Sequence, residues 1–122
     1  MKKTILILSI AAFCYSCGGS GDKGSETKTA TENPDIEKGR NLVAQADCFS
    51  CHQITTTSIG PAYNAIGVKY ENTETNIELL AEKIQKGGSG NWGQVPMAAH
   101  STVSKGDAVL MAKYVLSLKG EK

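Results

Sequence analysis

The stretch Cys48-Phe49-Ser50-Cys51-His52, CFSCH, decides how the rest of this 122-residue chain is interpreted. Two thiols three positions apart, with an imidazole directly after the second, suit three kinds of chemistry. They can contribute to a zinc site, they can carry out thiol–disulfide exchange, or they can attach a haem covalently. The remainder of the sequence distinguishes among these three.

Zinc is disfavoured by the ligands that the sequence offers. A structural zinc site takes four ligands, and the segment that we expect to fold contains only Cys48, Cys51, His52 and the distant His100. The adjacent Cys51 and His52 are poorly placed to bind one compact metal. A second Cys-x-x-Cys or a pair of histidines, which normally completes such a site, is missing.

Thiol exchange is disfavoured by the pattern of secondary structure. A redox Cys-x-x-Cys usually lies on a thioredoxin-like framework of strands and helices, and strand signals are nearly absent from this chain. Haem attachment needs only what CFSCH provides. Thiols at i and i+3 can add to the two vinyl groups on one porphyrin edge, and the imidazole that follows can reach the iron.

The N-terminal part of the chain predicts export followed by a flexible segment. Residues 1–16 combine a positively charged start with an apolar run that is too short to cross a bilayer of about 30 Å, which predicts a signal peptide. Residues 17–33 consist of small, polar and charged residues that cannot bury apolar surface. We expect this segment to be a flexible linker between the signal peptide and the folded domain.

The end of the signal peptide predicts a lipid anchor on Cys17. Residues 15–18, YSCG, resemble the lipobox of bacterial lipoproteins, in which the cysteine is lipidated and becomes the first residue. Cys14 stands where that family usually has Leu. The resemblance implies an extracytoplasmic protein on the periplasmic side, anchored to the membrane. Only Cys48 and Cys51 then remain in the folded domain, so no disulfide between distant segments is expected.

Residues 34–122 predict one small all-α domain. Asn33 and Pro34 mark the start of a first helix as its cap and first residue. One face of that helix is apolar or small: Ile36, Gly39, Val43 and Ala46. A second short helix is predicted over residues 61–69. A domain of this size gains from a buried prosthetic group, because it buries proportionately little surface of its own.

Two more helices are predicted in the second half of the domain. Thr75 and Glu78 form a capping box that predicts the start of a third helix, and Gly87 predicts its end. Ser104 with Asp107 predicts the start of the last helix. Between these two helices lies a loop of unusual length for so small a domain.

That loop contains a candidate second ligand for a haem iron. Residues 90–100, GNWGQVPMAAH, place Met97 after a proline, and no helical periodicity explains the methionine as a core residue.

Charge predicts no nucleic-acid partner, because nine Lys and Arg balance nine Asp and Glu from Asp35 onward. We expect a monomer.

Five features, in order, make residues 35–119 resemble the small bacterial single-haem members of the class I cytochrome c family. They are the Gly-bearing first helix, CFSCH, the GPAY run at residues 60–63, the WGQVPM run at residues 92–97, and a last helix that ends in AKYVLSLK. The resemblance implies an all-α cytochrome c fold, with three to five short helices wrapped around one covalently bound haem c.

The resemblance also implies the residues that bind the haem and its iron. Cys48 and Cys51 form thioethers with the porphyrin. His52 is the proximal iron ligand, and Met97 supplies sulfur from the distal side.

Further residues of the resemblance act around the haem. The carbonyl of Pro61 accepts a hydrogen bond from the proximal imidazole, which fixes the tautomer of that ring. Trp92 donates its indole N–H to a haem propionate, and Lys83 provides a cation for the same group. Gly39 and Tyr114 mark the crossing of the first and last helices.

The chain departs from the family pattern at two positions. His100 stands three residues after Met97, where many relatives have Asn. We interpret it as a surface histidine; the alternatives are a bond to the methionine sulfur or to a propionate, or a role as a competing iron ligand. Val43 stands where an aromatic residue is frequent, which predicts looser packing at the helix crossing.

A haem iron with both axial positions filled has no open site for a substrate, so the resemblance implies an electron carrier without catalytic residues. We expect a membrane-tethered carrier of single electrons between respiratory partners, such as a quinol-oxidising complex, a terminal oxidase or a periplasmic reductase. Ile59, Ala62 and Val95 are candidates for the docking edge. The alternatives are a haem subunit or domain of a larger oxidoreductase, and a peroxidase or gas sensor with a dissociable Met97.

Overall fold

The computed structural model describes residues 33–122. The elements in chain order are α1 (Pro34–Gln45), a 3₁₀ turn (Asp47–Ser50), α2 (Tyr63–Lys69), α3 (Glu74–Lys86), β1 (Gly88–Gly90), β2 (Gly93–Met97) and α4 (Lys105–Ser117). The predicted signal peptide at residues 1–16, Cys17 and the linker up to residue 32 lie outside this range. Among the helices of residues 33–122, none has the length and hydropathy of a membrane span.

The predicted starts of the first and last helices are confirmed. The Asn33 side chain accepts a hydrogen bond from the Asp35 backbone N–H at 3.0 Å, ahead of the proline that opens α1. The Ser104 hydroxyl accepts one from the Asp107 backbone N–H at 3.1 Å. Each cap satisfies a backbone donor that has no partner inside its helix.

The predicted start of the third helix was wrong. The cap of α3 is Thr73, whose hydroxyl accepts a hydrogen bond from the Asn76 backbone N–H at 3.3 Å. Thr75 and Glu78 lie inside the helix, so they form no capping box. The Glu78 carboxylate instead pairs with the Lys105 ammonium group, 3.0 Å away at the start of α4.

Helix α2 begins two residues later than residue 61, and the preceding loop supplies acceptors for its first two backbone N–H groups. The Tyr63 backbone N–H donates to the Gln53 carbonyl and the Asn64 backbone N–H donates to the Ile54 carbonyl, both at 2.9 Å. No side chain caps this helix. The loop after CFSCH is thereby attached to the start of α2.

The structure contains a short hairpin that the sequence pattern did not predict. Strands β1 and β2 pair antiparallel, with Gly88 opposite Met97 and Gly90 opposite Gly93. Both glycines of β1, together with Gly93, have a φ of 107° or 108°, a conformation that other residues rarely adopt. Met97 therefore ends a strand rather than lying in an irregular loop, in a fold that is otherwise made of helices.

The first and last helices cross at the predicted glycine. A Cβ atom at Gly39 would collide with the Leu110 carbonyl of α4 and would lie 3.0 Å from the Tyr114 Cβ. Only glycine permits this approach of two backbones. Val43 lies one turn further along α1, and it is buried in the core with Met111 of α4.

Replacing Gly39 with alanine should weaken this crossing. In a Gly39→Ala variant the added methyl group overlaps the α4 backbone, and we expect the free energy of unfolding to fall by about 1–3 kcal/mol. Denaturant unfolding of the purified protein measures the change. Gly106→Ala is the matched control, because its Cβ would meet nothing closer than 4.0 Å in the first turn of α4. Equal stability of the two variants would contradict the role of Gly39.

Candidate functional site

A cavity of ≈ 630 Å³ lies under the CFSCH turn, between that turn, α3, the hairpin and α4. Its volume is in the range of small-molecule and cofactor sites. Every binding residue predicted within residues 33–122 lines it: Cys48, Cys51, His52, Pro61, Lys83, Trp92 and Met97. The fold thus brings together side chains that lie up to 49 positions apart in the sequence.

The His52 imidazole is buried and oriented by one hydrogen bond. Its Nδ1 lies 2.8 Å from the Pro61 carbonyl oxygen. A carbonyl only accepts, so Nδ1 carries a proton, and in the neutral ring Nε2 then has the free lone pair. The ring also stacks on Tyr63, with centroids 5.3 Å apart and planes 16° apart. His52 therefore presents the tautomer that a metal ligand requires.

Gly60 shapes the space in which this imidazole lies. A Cβ at Gly60 would be 2.5 Å from His52 Cε1 and 2.8 Å from His52 Nδ1. The Gly60 backbone N–H donates to the Cys51 carbonyl at 2.8 Å, which folds the loop back onto the motif. Sequence reasoning noticed GPAY as a run but assigned no role to its glycine. Position 60 needs a glycine because any side chain there would overlap the His52 ring.

The two thiols are half-buried, and neither is in a disulfide. The His52 backbone N–H donates to the Cys48 carbonyl at 3.0 Å, which closes the turn. The pKa of the Cys48 thiol is raised, first by burial and next by the Asp47 carboxylate. A redox-active cysteine needs the opposite shift, because the thiolate is the nucleophile. The structure thus adds a second argument against thiol exchange.

The tip of the hairpin is held by Lys69 at the end of α2. The Lys69 ammonium group donates to the Asn91 carbonyl at 2.6 Å and lies 4.3 Å from the centroid of the Trp92 ring. A cation over an indole face is attracted by the electron density of the ring. Sequence reasoning missed Lys69, because nothing in the local pattern links residues 22 positions apart.

The base of the hairpin is set against the end of α3. Gly87 has a φ of 66°, and a Cβ there would collide with the Met97 carbonyl and lie 2.8 Å from the Ala99 nitrogen. The His100 backbone N–H donates to the Ile84 carbonyl at 3.0 Å. The backbone from Met97 to His100 is therefore fixed by close contact with the end of α3.

His100 is partly buried, and it has a hydrogen-bond partner that the sequence did not predict. Only 21% of its side chain is exposed, and its Nε2 lies 3.0 Å from the Asp47 carboxylate. The carboxylate accepts, so Nε2 carries the proton. Within residues 33–122 the Nδ1 atom has no hydrogen-bond partner, and His100 lines the cavity.

The predicted docking edge needs one correction. Ile59 and Val95 are 61% and 63% exposed, and both line the cavity, but Ala62 is only 2% exposed. The Ala62 side chain faces the interior and cannot contact a partner.

The Lys83 ammonium group lies 3.1 Å from the position that a Cβ on Gly88 would take, so it reaches the start of β1.

Across residues 33–122 no group of three or more His, Cys, Asp or Glu side chains could hold a metal ion.

Comparisons with known proteins identify the family. The cytochrome c family model matches residues 36–119. Cytochrome c-552 of Nitrosomonas europaea is 40% identical over 79 residues, which are 65% of this chain and 77% of that protein. Cytochrome c-551 of Azotobacter vinelandii is 39% identical over 83 residues, which are 68% of this chain and 100% of that protein. The chain therefore belongs to the cytochrome c family.

The solved structures agree with this family. The crystal structure of wild-type Nitrosomonas europaea cytochrome c552 superimposes with a TM-score of 0.61 at 40% identity, covering 66% of this chain and 99% of that chain. The predicted cytochrome c fold is confirmed. The protein is a small class I c-type cytochrome with covalently bound haem c, and it is an electron carrier rather than an enzyme.

The residues around the cavity fit a haem c. Two half-buried free thiols at i and i+3 line the cavity next to a buried imidazole whose Nδ1 donates to the Pro61 carbonyl. A thioether side chain lines the same cavity from β2. The donors are thus of the kinds that bind a covalent haem and its iron.

Filling the space beside the His52 ring should disturb the site. In a Gly60→Ala variant the methyl group would overlap the imidazole, so the ring must move away from the Pro61 carbonyl. We expect the holoprotein to lose about 1–3 kcal/mol of stability and its His52 Nδ1 proton to exchange faster with solvent. Denaturant unfolding and proton NMR measure these changes. If Gly60→Ala matches the Gly106→Ala control in both, the packing argument fails.

Proposed function

We propose that this protein is a membrane-tethered, extracytoplasmic carrier of single electrons between respiratory partners, with a haem iron ligated by His52 and Met97. The observation that carries the proposal is the hydrogen bond of His52 Nδ1 to the Pro61 carbonyl, 2.8 Å long. This bond leaves Nε2 available in the cavity that Met97 also lines.

Three residues of the CFSCH turn have distinct parts in this proposal. Cys48 and Cys51 would hold the haem through thioethers, and His52 would bind the iron through Nε2. When bound, haem c would supply one-electron redox chemistry. The Pro61 carbonyl keeps the imidazole in one tautomer and one orientation.

The choice between Met97 and His100 as the second ligand is argued from their contacts. His100 Nε2 donates to the Asp47 carboxylate, and the His100 backbone N–H donates to the Ile84 carbonyl. Ligation by His100 Nε2 would break the first of these bonds. Met97 also lines the cavity, and ligation by its sulfur would break no such hydrogen bond. This difference supports a His52/Met97 pair.

Trp92 and Lys83 complete the proposed haem site. We assign the Trp92 indole N–H and the Lys83 ammonium group to a haem propionate, because both residues line the cavity. Lys69 supports this assignment, since its contact with the indole face restricts the Trp92 ring. The positive charge of Lys69 also lies near the hairpin tip, where it would lower the free energy of a nearby propionate carboxylate.

The fixation of Met97 favours a carrier over a peroxidase or a gas sensor. Both of those activities require the methionine to leave the iron so that a small molecule can bind. The close contact of Gly87 with the Met97 carbonyl and the hold of Lys69 on the hairpin tip both restrict such movement. A stable pair of axial ligands suits repeated electron transfer.

The docking edge and the anchor complete the proposal. Ile59 and Val95 offer exposed apolar surface at the cavity, and a small apolar contact suits brief encounters with a quinol-oxidising complex, a terminal oxidase or a periplasmic reductase. Lipid on Cys17 and a flexible linker would keep the monomeric domain near the membrane while it moves between partners.

Removing Met97 tests the proposed iron ligation. We expect the ferric wild-type holoprotein to show a sulfur-to-iron charge-transfer band that is lost in Met97→Ala. The ferrous Met97→Ala variant should bind carbon monoxide readily, because one axial position is then open. His100→Leu is the control and should keep the band. Visible and near-infrared spectra decide the outcome, and a band that survives in Met97→Ala contradicts the assignment.

Removing the thiol of Cys17 tests the proposed anchor. In cells that express Cys17→Ser, we expect the holoprotein to move from the membrane fraction to the soluble extracytoplasmic fraction. Cys14→Ser is the matched control and should stay with the membrane. Fractionation followed by haem staining measures the distribution. Retention of Cys17→Ser on the membrane would show that lipid on this cysteine is not the anchor.

A further inference from the structure

A side-chain bond connects the segment of Met97 to the turn of Cys48. The His100 Nε2 donates to the Asp47 carboxylate at 3.0 Å, although the two residues are 53 positions apart. Asp47 is the first residue of the 3₁₀ turn and directly precedes Cys48. His100 follows Met97 by three residues. The bond thus joins two segments that both line the cavity.

The segment around His100 also has hydrogen bonds to α3, and one within itself, from the Val103 backbone N–H to the His100 carbonyl at 3.0 Å. The His100 backbone N–H donates to the Ile84 carbonyl at 3.0 Å, and the Gln85 side chain donates to the Val103 carbonyl at 2.9 Å. These bonds fix the segment along its own helix end. They do not connect it to the CFSCH turn, whereas the bond to Asp47 does.

We propose that Asp47 and His100 form a latch that keeps the Met97 segment closed against the CFSCH turn. When the latch is intact, the Met97 sulfur is kept at the iron; when it is broken, an external ligand replaces the sulfur more often. His100 and Asp47 are positioning residues in this scheme, since they act through Met97. The inference rests on the proposed ligation of the iron by Met97.

The exposure of the two side chains defines how strong the latch is. The His100 ring is mostly buried, with 21% of its side chain exposed, while the Asp47 side chain is 80% exposed. The buried ring holds its donor in place, and the exposed carboxylate keeps the bond weak, because water competes for it. Such a bond has little effect on global stability, but it shifts a local opening equilibrium.

The test measures the affinity of the ferric holoprotein for added imidazole at one fixed pH. Imidazole can bind only where Met97 has left the iron, so its apparent affinity reports the open fraction. We expect Asp47→Ala and His100→Leu each to bind imidazole about two- to fivefold more tightly. The double variant should match the single variants, because both substitutions remove the same bond.

Two further variants separate the latch from general effects. His100→Gln retains a donor near the position of Nε2 and should bind imidazole as the wild type does. Glu78→Ala removes another exposed ion pair of 3.0 Å, that with Lys105, and should leave the affinity unchanged. The free energy of unfolding of Asp47→Ala should equal that of the wild type within about 1 kcal/mol.

The outcomes distinguish the latch from the ligation on which it rests. A ferric wild type without the sulfur-to-iron band overturns the Met97 ligation and the latch together. A wild type with the band, but with unchanged imidazole affinity in both single variants, overturns the latch alone. The latch is also overturned if the double variant multiplies the single effects, or if His100→Gln behaves as His100→Leu does.

Discussion

The hydrogen bond from His52 Nδ1 to the Pro61 carbonyl is the interaction on which the rest of the site depends. It decides which ring nitrogen is protonated, and therefore which one faces a metal. Gly60 makes the bond possible by leaving room for the ring, and Tyr63 supports the imidazole from the side. The loop from CFSCH to α2 thus orients the His52 imidazole so that its Nε2 atom is available to a metal.

The part of the site that contains Met97 is held by contacts of a different kind. Met97 ends a strand of a small hairpin, and contacts at three places hold this segment: Lys69 at the tip, Gly87 at the base and His100 beyond the end. None of these contacts is hydrophobic packing. A ligand held by a few polar and backbone contacts can be adjusted by single substitutions, whereas the imidazole is enclosed by the loop and the Tyr63 ring.

The sequence predicted the family and the cavity residues because these depend on local motifs with strict spacing, such as CFSCH and GPAY. It also predicted the caps of α1 and α4. It missed the hairpin, since the glycines of β1 show no strand pattern, and it misplaced the start of α3. The contacts of Lys69 and His100 could not be predicted, because each joins segments that only the folded chain brings together.

The central claim is that one haem is held by Cys48 and Cys51 and ligated by His52 and Met97. Absorption spectra of the exported holoprotein, recorded in both oxidation states and again in alkaline pyridine, test it most directly. The account predicts a pyridine spectrum of a haem with two thioethers and a ferric sulfur-to-iron charge-transfer band. A haem that alkaline pyridine shows to lack two thioethers, or a ferrous protein that readily binds carbon monoxide, would contradict it.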